Sequence, residues 1–96
     1  MAAYVFFDAL SVHPERMSGY RDKALASIKA FDGKLVAATG NIESREGDWH
    51  PIRIVMLEFP SIETARAWYE SPEYQEVLPI RLSANKDKMV IFEGLP

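Results

Sequence analysis

The segment formed by residues 53–74, RIVMLEFPSIETARAWYESPEY, constrains the fold more than any other part of the chain. Residues 52–59 (IRIVMLEF) are apolar at nearly every position, which is typical of a strand covered on both faces. A proline–serine pair then begins a helix, with Ser61 as its N-cap, and a serine–proline pair at 71–72 ends it. The segment therefore predicts a strand, a sharp turn and a helix in immediate succession.

Three more short apolar runs predict strands, at residues 4–11 (YVFFDALS), 34–39 (KLVAAT) and 88–93 (KMVIFE). Between the first two runs, apolar residues recur at steps of three and four, as on one side of an amphipathic helix. These residues are Met17, Tyr20, Ala24, Ile28 and Phe31. We expect residues 13–15 (HPE) to begin this helix and Gly33 to end it in the left-handed conformation.

A short helix is expected around Tyr74, and Pro79 should bend or end it. The predicted order of elements is then β-α-β-β-α-β. This order produces a four-stranded antiparallel sheet with both helices on one face, the ferredoxin-like α+β arrangement. A chain of 96 residues suits one domain, so we expect residues 1–96 to form a single unit.

The composition argues against several classes of function. The formal net charge is −3 and the basic residues are scattered, which argues against a nucleic-acid partner. The absence of cysteine removes disulfides, thiolate metal sites and cysteine nucleophiles. The N-terminal apolar run is broken at Asp8 and follows no basic residues, so neither a signal peptide nor a membrane span is predicted. A reducing cytoplasm is the simplest location for such a chain.

The predicted sheet has more apolar surface than its own helices can cover. Two helices shield one face, yet the first, third and fourth strands are apolar on both. An uncovered face would exceed the roughly few hundred Å² of contiguous apolar surface that monomers usually expose. A homodimer in which two open faces pack together across a two-fold axis would bury this surface. The alternative is that a loop, such as residues 43–51, folds over the open face.

Most of the chain resembles one family. The run GDWHPIRIVMLEFPSIETARAWYESPEY (residues 47–74) closely resembles the signature of domain-of-unknown-function family 1330, in the dimeric α+β barrel superfamily. Residues 4–21 and 89–94 resemble its opening and its close. The resemblance implies a homodimer in which two sheets form a joint barrel. The wider superfamily includes cofactor-independent monooxygenases, small-molecule isomerases and haem-handling enzymes, whereas the family itself has no settled activity.

The chain departs from the family pattern at two turns. Relatives typically have His-Gly-Gly after the first helix, where this chain has Phe31-Asp32-Gly33. The next strand of relatives often ends in Arg-Gly-Gly, where this chain has Ala38-Thr39-Gly40. An anion site that used the relatives' arginine is therefore not carried over to this chain.

Two carboxylates on the predicted strands are the candidate catalytic residues. Glu58 lies in the apolar run MLEF and would share a face with Ile54 and Met56. If a partner encloses that face, the carboxylate is desolvated, which suits a general acid or base. Asp8 lies similarly on the first strand, the neighbour of the third, so the two carboxylates could act as a pair. The alternative for both is a solvated or salt-bridged carboxylate.

Aromatic and arginine side chains are the candidate ligand-binding residues, because small-molecule sites combine aromatic walls with a few polar groups. The candidates are Tyr20, Arg21, Trp49, Trp68, Tyr69, Tyr74 and Arg81. Trp49 lies in a polar loop and is the best candidate for a pocket edge, whereas Trp68 and Tyr69 have the spacing of core residues. The arginines, together with Arg53, could bind a carboxylate through two hydrogen bonds or could pair with glutamates at the surface.

These residues leave two functions open. One is a cofactor-free enzyme that acts on a small organic molecule, with Glu58 as its acid–base group and a pocket between sheet and helices. The other is a non-catalytic ligand-binding or accessory dimer with the same pocket. The two histidines, His13 and His50, each precede a proline and lack the spacing of a metal pair, so neither a metal nor another cofactor is expected.

Overall fold

The computed structural model describes residues 1–96 and has a four-stranded antiparallel sheet with its helices on one side. The elements are β1 (Ala3–Ala9), α1 (Tyr20–Ala30), β2 (Lys34–Thr39), β3 (Arg53–Phe59), α2 (Ile62–Glu70), α3 (Pro72–Ala84) and β4 (Lys88–Glu93), with a 3₁₀ turn, Pro14–Met17, before α1. The strands lie in the order β2-β3-β1-β4. The predicted ferredoxin-like α+β arrangement is confirmed.

The pairing of the central strands gives the sheet two distinct faces. Val5 pairs with Leu57 on the face that the helices cover, and Phe6 pairs with Met56 on the other, which we call the open face. The core lies between the covered face and the helices. Its largest fully buried side chains are Trp68, Tyr74, Phe59, Leu57, Val5 and Val77. Trp68 brings a polar atom into this core, and its indole N–H donates to Ser27 Oγ at 3.0 Å.

The first predicted helix is in fact two pieces. Pro14–Met17 forms a 3₁₀ turn, Gly19 adopts a φ of 81°, and α1 begins only at Tyr20. A left-handed residue cannot continue a right-handed helix, and the regular spacing of the apolar residues concealed this break. The 3₁₀ turn lies against the end of α3, where Arg16 Nη1 donates to the Ser83 carbonyl oxygen at 3.2 Å.

The end of α1 also differs from its prediction. Asp32 rather than Gly33 is left-handed, with a φ of 59°. The backbone N–H groups of these two residues donate to the carbonyl oxygens of Lys29 and Ile28, which is a Schellman motif. The glycine is needed for a different reason, since a Cβ atom on it would lie 2.5 Å from Cε1 of the Phe59 ring. Gly33 therefore lets the chain enter β2 directly against a buried side chain.

The last helix does not end at Pro79, where the sequence predicted either a bend or an end. It continues to Ala84, although the proline removes one hydrogen bond from its interior. Contacts beyond the proline offset that loss: Arg81 is buried against the core. The carbonyl oxygen of Ala84 also accepts the backbone N–H groups of Val12 and His13. Because the helix continues, its last turn carries Arg81 into the interior.

Gly33→Ala should destabilise the protein more than Gly19→Ala, by about 2–3 kcal/mol against about 1 kcal/mol. The first substitution drives a methyl group into the buried Phe59 ring, whereas a Cβ atom on Gly19 meets nothing within 4 Å and carries only the cost of its left-handed φ. Urea unfolding of the two variants measures the difference. Equal losses of stability would contradict the close approach at Gly33.

Candidate functional site

A cleft lies between α1 and the covered face of the sheet. It has two adjoining lobes of about 360 and 350 Å³. The lobes share the side chains of Phe7, Met17, Tyr20, Arg53 and Val55. Each lobe alone falls in the size range of small-molecule sites, roughly 300–1,000 Å³. We call this feature the Tyr20 cleft.

One end of the Tyr20 cleft carries a buried polar network built on α3. Arg81 donates from Nε to Tyr74 Oη at 3.2 Å and from Nη1 to Asp87 Oδ2 at 3.0 Å. The side chains of Arg81 and Asp87 are only 7% and 2% exposed, so the two form a buried ion pair. The guanidinium also lies over the Phe7 ring, 5.1 Å from its centroid. Tyr74 and Arg81 meet because they are two helical turns apart on one side of α3.

The Asp87 carboxylate is fully engaged by neighbouring donors. Its Oδ1 accepts the backbone N–H of Leu10 at 2.8 Å, and its Oδ2 accepts Asn85 Nδ2 at 3.3 Å in addition to Arg81. A buried ion pair is tolerated when such additional hydrogen bonds satisfy it. The carboxylate therefore ties the end of α3 to the end of β1. Beside it, the Oδ1 atom of Asn85 is buried without a partner.

Tyr20 connects this network to the cleft. Its hydroxyl oxygen lies 2.7 Å from Tyr74 Oη. Burial first, and then the neighbouring Tyr74, raises the pKa of Tyr20 well above the ordinary tyrosine value. Burial alone would lower the pKa of the Arg81 guanidinium, but its contacts with Tyr74 and Asp87 outweigh burial and raise that pKa. Tyr20 is therefore a neutral hydroxyl and Arg81 a cation at neutral pH.

Several predicted ligand-binding residues meet at the cleft. Its lining includes Tyr20, Arg21, Trp68 and Arg81. Tyr74 does not line the cleft but is hydrogen-bonded directly to Tyr20. Tyr69 lies outside it and packs on Trp68 and Tyr74, with ring centroids 6.1 and 5.7 Å away. The sequence therefore indicated the aromatic residues of this region but not how they are arranged around the cleft.

Trp49 lies on the opposite side of the sheet. Its indole N–H donates to Asp8 Oδ2 at 2.8 Å, and its ring lies 6.2 Å from the Phe6 ring, centroid to centroid. Trp49 borders two depressions of about 250 and 260 Å³ beside the open face, and neither belongs to the Tyr20 cleft. The loop that carries this tryptophan therefore covers part of the open face near Asp8.

The two predicted catalytic carboxylates lie on the open face and do not meet. Asp8 pairs across the sheet with Ile54, whereas Glu58 pairs with Tyr4. The two are therefore four residues out of register, roughly 13 Å apart at about 3.3 Å per residue. The expectation that they lie close is wrong, because neighbouring strands bring together only residues in register. Glu58 has Lys34 Nζ at 3.9 Å instead, and a catalytic role for either carboxylate stays a prediction.

The arginines of the cleft do not pair with surface glutamates, the alternative that the sequence left open. Arg81 pairs with Asp87, and neither Arg21 nor Arg53 has a carboxylate oxygen within 4.0 Å. Sequence reasoning missed Asp87 and its neighbour Asn85. No sequence signal marks them, since polar residues between a helix and a strand are usually exposed.

Two further features of the structure concern clustered metal ligands and helices that could span a membrane. No three His, Asp or Glu side chains lie close enough together to hold a metal ion. His13 and His50 each lie near an acidic neighbour at the surface, Glu15 and Asp48 respectively. None of the helices combines the length and apolar character needed to cross a bilayer.

The buried Tyr20 hydroxyl predicts a loss of stability at high pH. Tyrosine in an unfolded chain has a pKa of about 10, and the pKa of Tyr20 in the folded protein is raised above this value. The folded state holds the proton more tightly, so the stability from Tyr20 is complete below about pH 10 and is lost as the pH rises further. We expect the free energy of unfolding to fall by up to about 1.4 kcal/mol per pH unit above pH 10 because of this residue.

Urea unfolding of the wild type and two variants between about pH 8 and about pH 11 measures this loss. Tyr20→Phe should make the pH dependence of the unfolding free energy less steep. Tyr69→Phe removes a nearby hydroxyl outside the cleft, and as the control it should not reproduce the effect of Tyr20→Phe. The same dependence in the wild type and in Tyr20→Phe would contradict a buried, hydrogen-bonded Tyr20 hydroxyl.

Solved structures share this fold at low sequence identity. RPA0582, a protein of unknown function from Rhodopseudomonas palustris, is 17% identical with a TM-score of 0.73, over 99% of this chain and 83% of that one. SnoaB, a cofactor-independent oxygenase from Streptomyces nogalater, is 14% identical with a TM-score of 0.62, over 99% and 93%. An antibiotic biosynthesis monooxygenase is 11% identical with a TM-score of 0.59, over the whole of both chains. These similarities confirm the fold class.

No curated protein matches the chain significantly. A sequence profile described as "Domain of unknown function (DUF1330)" matches residues 2–95, nearly the whole chain. This match confirms the resemblance that residues 47–74 carry most strongly. The chain therefore belongs to the DUF1330 family and has a ferredoxin-like α+β fold, which these solved structures share.

Proposed function

We propose that this chain binds a small, mostly apolar organic molecule in the Tyr20 cleft without a cofactor. The observation that carries the proposal is a cleft of ligand size whose apolar walls end at one hydrogen-bonded polar network. An ordinary packing gap is far smaller, because protein interiors are close-packed. Aromatic and aliphatic walls with a few fixed polar groups are the usual features of small-molecule sites.

The comparison with SnoaB supports a site that needs no cofactor. That protein is a cofactor-independent oxygenase with the same fold, at 14% identity to this chain. An identity this low carries the fold and no reaction, because one fold hosts many unrelated functions. The similarity therefore shows only that this fold can work without a cofactor, and it does not specify whether this chain transforms its ligand.

Two versions of the proposal differ in chemistry. A cofactor-free enzyme needs a proton-transfer group beside its substrate, and the carboxylate that lines the cleft, Asp87, is already engaged by three donors. Glu58, the proposed acid–base residue, could act only on a molecule bound at the open face. The arrangement therefore favours ligand binding, and catalysis at Glu58 is the alternative.

Val55→Trp should block the cleft, because Val55 lines both lobes and a larger side chain there occupies the space of a ligand. We expect binding of the neutral fluorophore N-phenyl-1-naphthylamine, measured by fluorescence titration, to weaken at least about tenfold, or about 1.4 kcal/mol. Val36→Trp makes the same change on the edge strand β2, outside the cleft, and should leave binding intact. Equal affinities for the two variants would exclude the cleft as the site.

We also propose that the chain forms a homodimer through its open face. Val90 and Phe92 of β4 are 56% and 41% exposed there, and neighbouring side chains of β1 and β3 in the same layer are also apolar. The loop with Trp49 covers the part near Asp8 and Phe6 and leaves Val90 and Phe92 exposed. A second copy of the same face would remove the remaining apolar surface from water.

Val90→Glu should dissociate this dimer, because it places a charge on the exposed apolar surface that the proposed interface buries. Light scattering during gel filtration should give twice 10.9 kDa for the wild type and close to 10.9 kDa for the variant. Leu82→Glu, at an exposed position of α3, is the control and should stay dimeric. A wild-type mass of 10.9 kDa at micromolar concentration would overturn the dimer.

A further inference from the structure

The charged side chains that line the Tyr20 cleft are mostly cationic, although the protein as a whole is acidic. Arg21 and Arg53 are exposed on its lining and have no carboxylate partner within 4.0 Å. The acid that lines it, Asp87, has both oxygens engaged by donors. A cationic ligand would find no free carboxylate in the cleft, whereas an anionic ligand would find two unpaired guanidinium groups.

The hydrogen-bond chain from Arg81 also has a direction. Tyr74 is 0% exposed, and its oxygen accepts the Nε–H of Arg81. The remaining acceptor near the Tyr74 hydroxyl hydrogen is the oxygen of Tyr20, at 2.7 Å. If Tyr20 donated instead, the Tyr74 hydrogen would be buried without a partner, which is unfavourable. Tyr74 therefore donates to Tyr20.

This direction leaves the hydrogen of the Tyr20 hydroxyl free. Tyr20 lines both lobes of the cleft, so its hydroxyl hydrogen can be offered to a molecule bound there. Arg81, the cation at the head of this hydrogen-bond chain, polarises each donor along it and acts against the rise in the pKa of Tyr20 that burial causes, which strengthens the last donor. A donor strengthened in this way favours an oxygen that carries negative charge.

We infer that the Tyr20 cleft takes a small organic acid, an apolar body with one carboxylate or enolate oxygen that accepts the Tyr20 hydroxyl hydrogen near Arg53. This inference rests on the proposed function and narrows its ligand to one chemical class. The apolar body fits against Phe7, Met17 and Val55, which both lobes share. Tyr74 and Arg81 act through Tyr20 and are positioning residues.

The test compares 2-naphthoate with 2-methylnaphthalene, which has the same ring system and no oxygen. Affinities are measured by NMR titration of the full chain at neutral pH. We expect 2-naphthoate to bind about tenfold more tightly than 2-methylnaphthalene to the wild type. Tyr20→Phe should lower the affinity for 2-naphthoate about tenfold and leave that for 2-methylnaphthalene unchanged. Tyr69→Phe is the matched control and should change neither affinity.

A second variant tests the charge separately. Arg53→Gln should weaken the binding of 2-naphthoate about threefold and leave the binding of 2-methylnaphthalene unchanged. Arg66→Gln, which replaces an exposed and unpaired arginine on α2, is the control and should change neither affinity. Equal wild-type affinities for the two probes, or equal losses of both in Tyr20→Phe, would overturn the inference while the cleft still binds apolar molecules. Failure of both probes to bind would overturn the proposed function as well.

Discussion

One buried cation, the guanidinium of Arg81, joins the elements that form one end of the Tyr20 cleft. Removing a charge from water costs on the order of several kcal/mol, so such a group persists only where its surroundings compensate it. Asp87, the Tyr74 hydroxyl and the face of the Phe7 ring provide that compensation. These partners come from the segment before β4, from α3 and from β1. The same contacts that stabilise the cation therefore fix the end of the cleft.

Strand and cap positions follow from the sequence because they depend on local chemistry. The run around Leu57 and Phe59 is apolar at nearly every position, and Ser61 accepts the backbone N–H of Thr64 as the capping pattern predicts. The local pattern was misleading at two positions in the helical segments. Gly19 interrupts a regular apolar repeat, and the helix through Pro79 continues because the residues beyond it are anchored.

The candidate site was only partly predictable for a related reason. Aromatic composition indicated Tyr20 and Tyr74, but nothing in the sequence shows that their hydroxyl oxygens lie 2.7 Å apart. Asp87 lies in a polar stretch where an acid is ordinarily solvated, and only the path of α3 brings Arg81 to it. Glu58 was singled out because it interrupts an apolar strand, and period-two alternation correctly placed it with Ile54 and Met56 on the open face, but the sequence did not show that Lys34 is its partner there. The spacing of residues along a strand shows on which face of the sheet a side chain lies, but only the folded structure shows which residues lie next to it.

The proposed ligand class depends on one interaction, in which the charge of Arg81 is transmitted through two tyrosines to a ligand in the Tyr20 cleft. A crystal structure of the protein with bound 2-naphthoate tests this claim most directly. We expect a carboxylate oxygen within hydrogen-bond distance, about 2.7 Å, of Tyr20 Oη, with the rings against Phe7 and Val55. Density for the ligand on the open face beside Trp49, or in the cleft with its carboxylate turned away from Tyr20, would contradict it.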